Sequence, residues 1–446
     1  MRDPSVSLFM RAPHSPPGDP VVGNALRFAR SPFDFLDTLS SSYAEGVVHL
    51  SGMAGPGIYV VLDPDLVQRV LVDDHARYRK PQLRPELVDP LIGEGLLTSE
   101  GDLWKRQRTT LQPAFFTSRL RGFGDTIVDF TRATTAGWRD GGELDVHHEL
   151  GVLTVRIISR LLLGVDLSRA DAVDVAEAME RVGETLALSP GNVVRPPWLQ
   201  TPPPREYQQA IRELEDVTAR ITAMHDPGGD DVLSLLQRAI GDDPDAFPAD
   251  ERRDQVMTML LAGHETTALT LTYALSLLSA TPDARAELRS EADTVVDGTP
   301  TWGDLASLDY TERVVHETLR LLPPVWALFR QPLADARLGE YRIPEGAPMM
   351  LPQWALHRSR RHWDAPLTFD PDRWRETKPA EVAAYFPFGA GPRACIGRQL
   401  AIVEAKLILA TLFAEWDVAV TADELPRRAA ITMQPTEPVP AVVRRR

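Results

Sequence analysis

About thirty residues, from Asp250 to Ser279, run without a proline and carry apolar side chains on nearly every face. Val256, Met257, Leu260, Leu261, Leu269 and Leu271, followed by the stretch Tyr273 to Leu278, leave no continuous polar stripe. As one helix the segment reaches roughly 45 Å, and a helix that is apolar all round has to be enclosed by other structure. Only a large domain with many more helices can do that. The chain supplies them, because from about Gly101 to Arg238 the apolar spacing is mostly helical, as in Val152 to Leu163 and Tyr207 to Ile221.

Other segments break this pattern. Pro4, Pro13, Pro16, Pro17 and Pro20 make residues 1–20 an extended lead-in. Ile58 to Leu62 reads as a strand, and Asp63 to Val72 as a helix with Pro64 in its first turn. The proline-rich run from Pro190 to Pro204 reads as a loop, and short strands are expected in Ala336 to Ile343 and Pro348 to Leu351. A last helix, Gly397 to Trp416, leads to a strand region from Ala429 to Val443. No Gly/Ser linker divides the chain, so residues 21–446 are expected to form one domain, mainly α with small β-sheets.

The formal net charge is −15 at pH 7, which repels phosphate backbones and argues against a nucleic-acid partner. No apolar run is long enough to span a bilayer, and the N-terminus lacks a signal-peptide core. The expectation is a cytoplasmic protein, and a monomer.

The single cysteine, Cys395, is either an inert buried residue or a reactive or ligating one. It sits in Phe388-Gly-Ala-Gly-Pro-Arg-Ala-Cys-Ile-Gly397, where the glycines imply a tight backbone. A helix starting near Ile396 turns its positive end toward the sulfur, which favours a thiolate. One thiolate does not make a tetrahedral zinc site. It can be the axial ligand of a haem iron, with Arg393 facing a carboxylate of the porphyrin.

The middle of the long helix holds Gly263, His264, Glu265, Thr266 and Thr267. A central glycine costs about 1 kcal/mol against alanine, and a buried carboxylate costs more unless satisfied. A groove at Gly263 that admits a small ligand and water is one physical reason. His264 is read as a core or channel histidine.

Phe-x-x-Gly-x-Arg-x-Cys-x-Gly resembles the haem-binding signature of the cytochrome P-450 family, and Ala262-Gly-His-Glu-Thr-Thr267 resembles its oxygen-activation motif. The resemblance implies a haem-thiolate monooxygenase that uses haem b and dioxygen. Cys395 is then the iron ligand, Phe388 and Gly397 belong to the haem-binding loop, Thr266 donates to dioxygen, and Glu265 belongs to the proton relay. Trp104 with Arg108, Arg330 and Arg393 match positions that hold the haem propionates. Glu317 and Arg320, neighbours on one helix face, match the family's Glu-x-x-Arg pair, which Arg373 of Phe369-Asp-Pro-Asp-Arg-Trp374 completes as a structural triad. Arginine stands at 393 where many soluble bacterial members carry histidine.

By family position the substrate pocket takes Leu96, Leu97, Met259, Ala262, Gly263, Val325, Trp326, Leu328 and Ile431, mostly apolar residues that imply a hydrophobic small-molecule substrate. The Val325–Leu328 stretch is similar to that of terpene-oxidising members. The Pro190 to Pro204 loop matches the family's mobile lid. No reductase-like segment follows Cys395, so electrons are expected from a ferredoxin and its reductase, docked near Lys105, Arg106, Arg393 and Arg398. The alternatives are a peroxygenase or other haem-thiolate enzyme, and a haem-binding carrier or sensor without turnover.

Overall fold

The computed structural model describes residues 11–446 apart from 44–45, 53–56, 82–84, 190–201, 227, 230, 243–246 and 297. Most of the loop expected at Pro190 to Pro204 therefore lies outside the described residues.

The helices that position the site are α1 (Gly101–Leu111), α2 (Val146–Leu163), α3 (Arg169–Leu186), α4 (Arg205–Met224), α5 (Ala249–Ala280), α6 (Asp309–Leu321) and α7 (Arg398–Glu415). The long apolar segment is α5, 32 residues enclosed by α2, α6 and α7. Helix α2 begins where the Asp145 carboxylate accepts the N–H groups of His147 and His148, and ends at Gly164 in the left-handed region (φ 70°). Ser168 caps α3 through the N–H of Asp171, and α3 packs against both α2 and α4. The expected helix after Asp63 forms over Pro64–Gln68 and continues as a wider, π-type turn to Asp73.

The strands are β1 (Val47–Leu50), β2 (Ile58–Val61), β3 (Tyr78–Arg79), β4 (Gly142–Asp145), β5 (Leu328–Pro332), β6 (Ala336–Leu338), β7 (Tyr341–Ile343), β8 (Met349–Leu351), β9 (Trp416–Val420), β10 (Arg427–Ala429), β11 (Met433–Pro435) and β12 (Pro440–Arg445). One sheet has the order β1-β2-β8-β5-β3, with β2 and β8 parallel; β4-β12-β9 form another, and β6-β7 and β10-β11 are hairpins. The five-stranded sheet places Arg330 opposite Met349 and covers a small second core that includes Val67, Leu71, Tyr78 and Phe386. The main core is helical, as the period of the sequence requires. Among the described residues no helix is long and apolar enough to cross a membrane.

Candidate active site around Cys395

The loop before α7 is shaped by two glycines in the left-handed region, Gly389 (φ 67°) and Gly391 (φ 70°). A Cβ on Gly391 would lie 2.1 Å from the Leu71 carbonyl, so no other residue fits there. Gly397 differs from the expectation of strain. Its φ is −90° and it is the N-cap residue of α7. The Cys395 N–H donates to Phe388 O at 2.8 Å, closing the loop, while the Cys395 side chain stays accessible although the loop is embedded between α1, the second core and α7. Burial pushes the thiol up, and the Gly397 N–H, Arg108 and Arg398 oppose this without cancelling it. The helix end thus favours the thiolate as expected but does not secure it. A cation bonded to sulfur would.

Four charged side chains meet beside the loop. Arg393 Nη2 pairs with Glu100 Oε2 at 2.6 Å, its Nη1 donates to His75 O at 3.1 Å, and its guanidinium lies 5.1 Å from the centre of the Trp104 ring. The Arg393 Nε is buried with no acceptor. Arg330, 7% exposed, donates only to its neighbour's carbonyl, Phe329 O, and pairs with no carboxylate among the described residues. Lys80 Nζ donates to Leu96 O at 3.1 Å, and its own N–H donates to Glu100 at 2.8 Å. Burial lowers Lys80 to about 7 and Arg330 to about 10; Glu100 raises both, and Arg393 lowers both further. Two guanidinium cations and a lysine that is only partly charged at neutral pH therefore share one carboxylate in a poorly solvated place, a surplus that calls for an anionic group.

That surplus, an orphaned guanidinium N–H and one accessible thiol on a glycine loop fit a porphyrin that carries carboxylates and an iron centre. Lys80, Glu100 and His75 were not singled out from the sequence, since no spacing links them to residue 393. Arg108 also supports the loop directly. Its Nη1 donates to Ala394 O at 2.9 Å and braces the loop itself.

Helix α5 stays regular through Gly263. A Cβ there would come within 3.0 Å of Ile158 in α2, so the glycine permits close packing of two helices and opens no groove. The opening lies one residue earlier, where Ala262 is exposed in the middle of an otherwise enclosed helix. Thr266, one turn on and on the same face, donates its hydroxyl to Ala262 O at 2.8 Å. His264 is buried and bonded to Leu260 O, and burial holds it down to about 4. Glu265 is turned toward β11, where Gln434 Nε2 donates to Oε1. Burial pushes the Glu265 carboxyl up, and the Gln434 amide, the Thr432 hydroxyl and Arg428 oppose it.

Of the expected pocket residues, Leu97 (44%) and Ile431 (37%) are exposed, and Leu328 touches the loop at Gly389. Trp326 is a correction. Its indole donates to Ala430 O at 3.0 Å and packs edge-on against Phe33 and Phe329, so it belongs to the core, as do Leu96 and Met259. The docking face also changes, because Arg106 is paired with Glu251 and Arg393 is turned inward, leaving Lys105 and Arg398 exposed.

The triad residues do meet. Arg320 makes a two-pronged pair with Glu317 at 2.7 and 2.8 Å, with both side chains wholly buried, and Arg373 Nε reaches Glu317 at 3.3 Å. Trp374 Nε1 adds a bond to Glu317 at 2.9 Å, and Arg320 also donates to the carbonyls of His357, Pro366 and Thr368. This ties the segment before the loop to α6. His357 Nε2 accepts the Phe386 N–H at 3.0 Å, which anchors the same segment.

The cytochrome P450 family model matches residues 13–440. Cyclooctatin synthase of Streptomyces melanosporofaciens is 34% identical over 90% of this chain and 89% of its own. Pentalenene oxygenase of Streptomyces avermitilis is 33% identical over 94% and 93%. Among solved structures, the cytochrome P450DA haem domain superposes with a TM-score of 0.83 at 28% identity, covering 98% of this chain and 99% of that one.

Proposed function

We propose, for a chain that belongs to the cytochrome P450 family, that Cys395 is the thiolate ligand of a haem b iron and that Lys80, Arg330 and Arg393 hold the porphyrin carboxylates. The protein is a haem-thiolate monooxygenase of hydrophobic substrates that takes electrons from a redox partner. When bound, the haem supplies reductive activation of dioxygen and insertion of one oxygen atom into a C–H bond.

The chain's own residues then have distinct tasks. Gly389 and Gly391 shape the cysteine loop, Arg108 fixes it through Ala394 O, and Glu317, Arg320, Arg373 and Trp374 fix the segment that leads into it. Phe388 contributes the carbonyl that receives the Cys395 N–H. Thr266 keeps a hydroxyl on the open face of α5 beside Ala262, and Glu265 exchanges a proton behind it. Leu97, Ala262, Val325, Leu328 and Ile431 give apolar walls that exclude water from the reacting carbon.

The substrate we infer is a terpenoid, since relatives are named for pentalenene and cyclooctat-9-en-7-ol and the accessible pocket residues are aliphatic. The electron donor we infer is an acidic ferredoxin meeting Lys105 and Arg398. The observation that carries the reading is the surplus of buried cations beside an accessible cysteine. Cys395→Ser tests it. The variant is expected to lose the red-shifted carbonyl band of reduced, CO-treated protein, and retention of that band overturns the ligand assignment.

A further inference from the structure

On the side of α5 that faces β11, His264, Glu265 and Ala268 border a polar cavity of about 170 Å³. Asp145, His147 and His148 at the start of α2 close one end of it, and Glu180 of α3 lines another side. The remaining wall comes from Arg428 and the segment Gln434 to Pro438, which includes the exposed Glu437. Tyr273, further along α5, is the other titratable group within reach of Glu265. His147 and His264 are both held down to about 4 by burial, so neither carries a proton near neutral pH, and His147 is tied to Thr272 at 3.2 Å. Protons that reach Glu265 from this side come past the exposed carboxylates of Glu180 and Glu437.

One amide, that of Gln434, bonds to Glu265 at the cavity wall, and its orientation is fixed at both ends. Arg428 Nε donates to Gln434 Oε1 at 3.0 Å, so the Gln434 nitrogen is left to donate to Glu265. Arg428 is anchored in turn to Glu184 of α3 at 3.1 Å. The room for the amide is a glycine: a Cβ on Gly183 would lie 2.2 Å from Gln434 Nε2. The strand is pinned as well, with Met433 O accepting from the Tyr273 hydroxyl at 2.5 Å and Met433 N donating to Pro324 O at 2.7 Å.

We propose that Gln434 is a positioning residue of the oxygenation reaction: oriented by Arg428 and accommodated by Gly183, it holds the Glu265 carboxyl at the polar cavity, from which Glu265 takes the protons it passes toward Thr266. This rests on the reading of Glu265 as a proton relay. A relay must empty and refill, so both its protonation states have to be reachable. Burial favours the neutral acid, and a donated N–H that can never itself take the proton favours the carboxylate. Gln434 is the first of the groups that do this, ahead of the Thr432 hydroxyl and Arg428, and an apolar residue in its place tips Glu265 further toward the acid.

The test is a pH titration of the Glu265 carboxylic C=O stretch in the haem-loaded enzyme by infrared difference spectroscopy, with the band assigned by its loss in Glu265→Gln. Gln434→Met is expected to raise the midpoint by about one pH unit or more, with haem content and substrate-induced spectral shift retained. Gly183→Ala, which adds a single methyl to α3 and displaces the amide, is expected to do the same and serves if Gln434→Met does not fold. A midpoint unchanged in the folded variants overturns the proposal. The relay reading is judged separately: unchanged product per electron in Glu265→Gln overturns that reading even while the infrared shift stands.

Discussion

Arg393 gives its guanidinium to Glu100 at 2.6 Å, and that carboxylate is the one among the described residues that also serves the buried cations Lys80 and Arg330. Glu100→Gln removes it. The haem-free protein is expected to lose on the order of 2 kcal/mol, because buried cations are left facing one another. The haem-loaded protein is expected to lose clearly less, since carboxylates of the porphyrin take over. Thermal midpoints of the two forms decide this, and equal drops in both count against the cluster as the carboxylate site.

Thr266 bonds backward within α5, so removing its hydroxyl costs the helix little. Thr266→Ala is expected to keep haem and substrate binding and to divert electrons to peroxide, lowering product per electron roughly tenfold. Parallel assays of NAD(P)H, peroxide and product check it. Unaltered coupling excludes a part for this hydroxyl in proton delivery.

Glu404 of α7 is wholly buried, neither carboxyl oxygen has a hydrogen-bond partner among the described residues, and burial raises it to about 8 against an ordinary 4.5, the Thr267 hydroxyl opposing. Between those two values the folded chain keeps the proton and the unfolded chain releases it. Stability therefore falls as pH rises from 4.5 to about 8, by on the order of 3 kcal/mol at pH 7. Glu404→Gln is expected to raise the thermal midpoint at pH 7 to 8 and to change it little at pH 4.5. A gain independent of pH contradicts the assignment.

Glu317 is the only carboxylate among the described residues that pairs with the fully buried Arg320. Glu317→Ala strands that charge and is expected to cost about 3–5 kcal/mol, lowering the yield of folded, haem-loaded protein. Normal yield and stability show that the triad is dispensable.

Lys105 stays exposed on α1 while its neighbour Arg106 is paired with Glu251. Lys105→Glu is expected to raise KM for an acidic ferredoxin about threefold at low salt and to leave kcat near its original value. The difference fades as salt rises. Stopped-flow reduction over a salt series tests this, and identical curves for both proteins place docking elsewhere.

Periodicity and local motifs made much of the molecule legible beforehand. The segment from Asp250 to Ser279 is one helix because it has no proline and no polar face, and β6, β7 and β8 lie within the expected strand segments Ala336 to Ile343 and Pro348 to Leu351, while β5 was not expected. The cysteine loop was readable because positive φ at Gly389 and Gly391 demands glycine. Readings that required a partner far along the chain fared less well. Gly263, expected to open a groove, is a contact with Ile158; Trp326, expected in the pocket wall, is fixed in the core by Ala430; Arg393, expected on the docking face, is turned inward to Glu100.

The physical reason is one of range. Helix period, capping, turn chemistry and the order of motifs act over a few residues, so the amino-acid sequence alone settles the helices, the ligand candidate and the family. Which cation is paired, which carboxyl is buried and which face of α5 opens depend on where distant segments return: Arg393 to Glu100 and Glu265 to Gln434. No spacing encodes those meetings. Only tertiary packing, which sets burial and so the cost of every charge, could decide them.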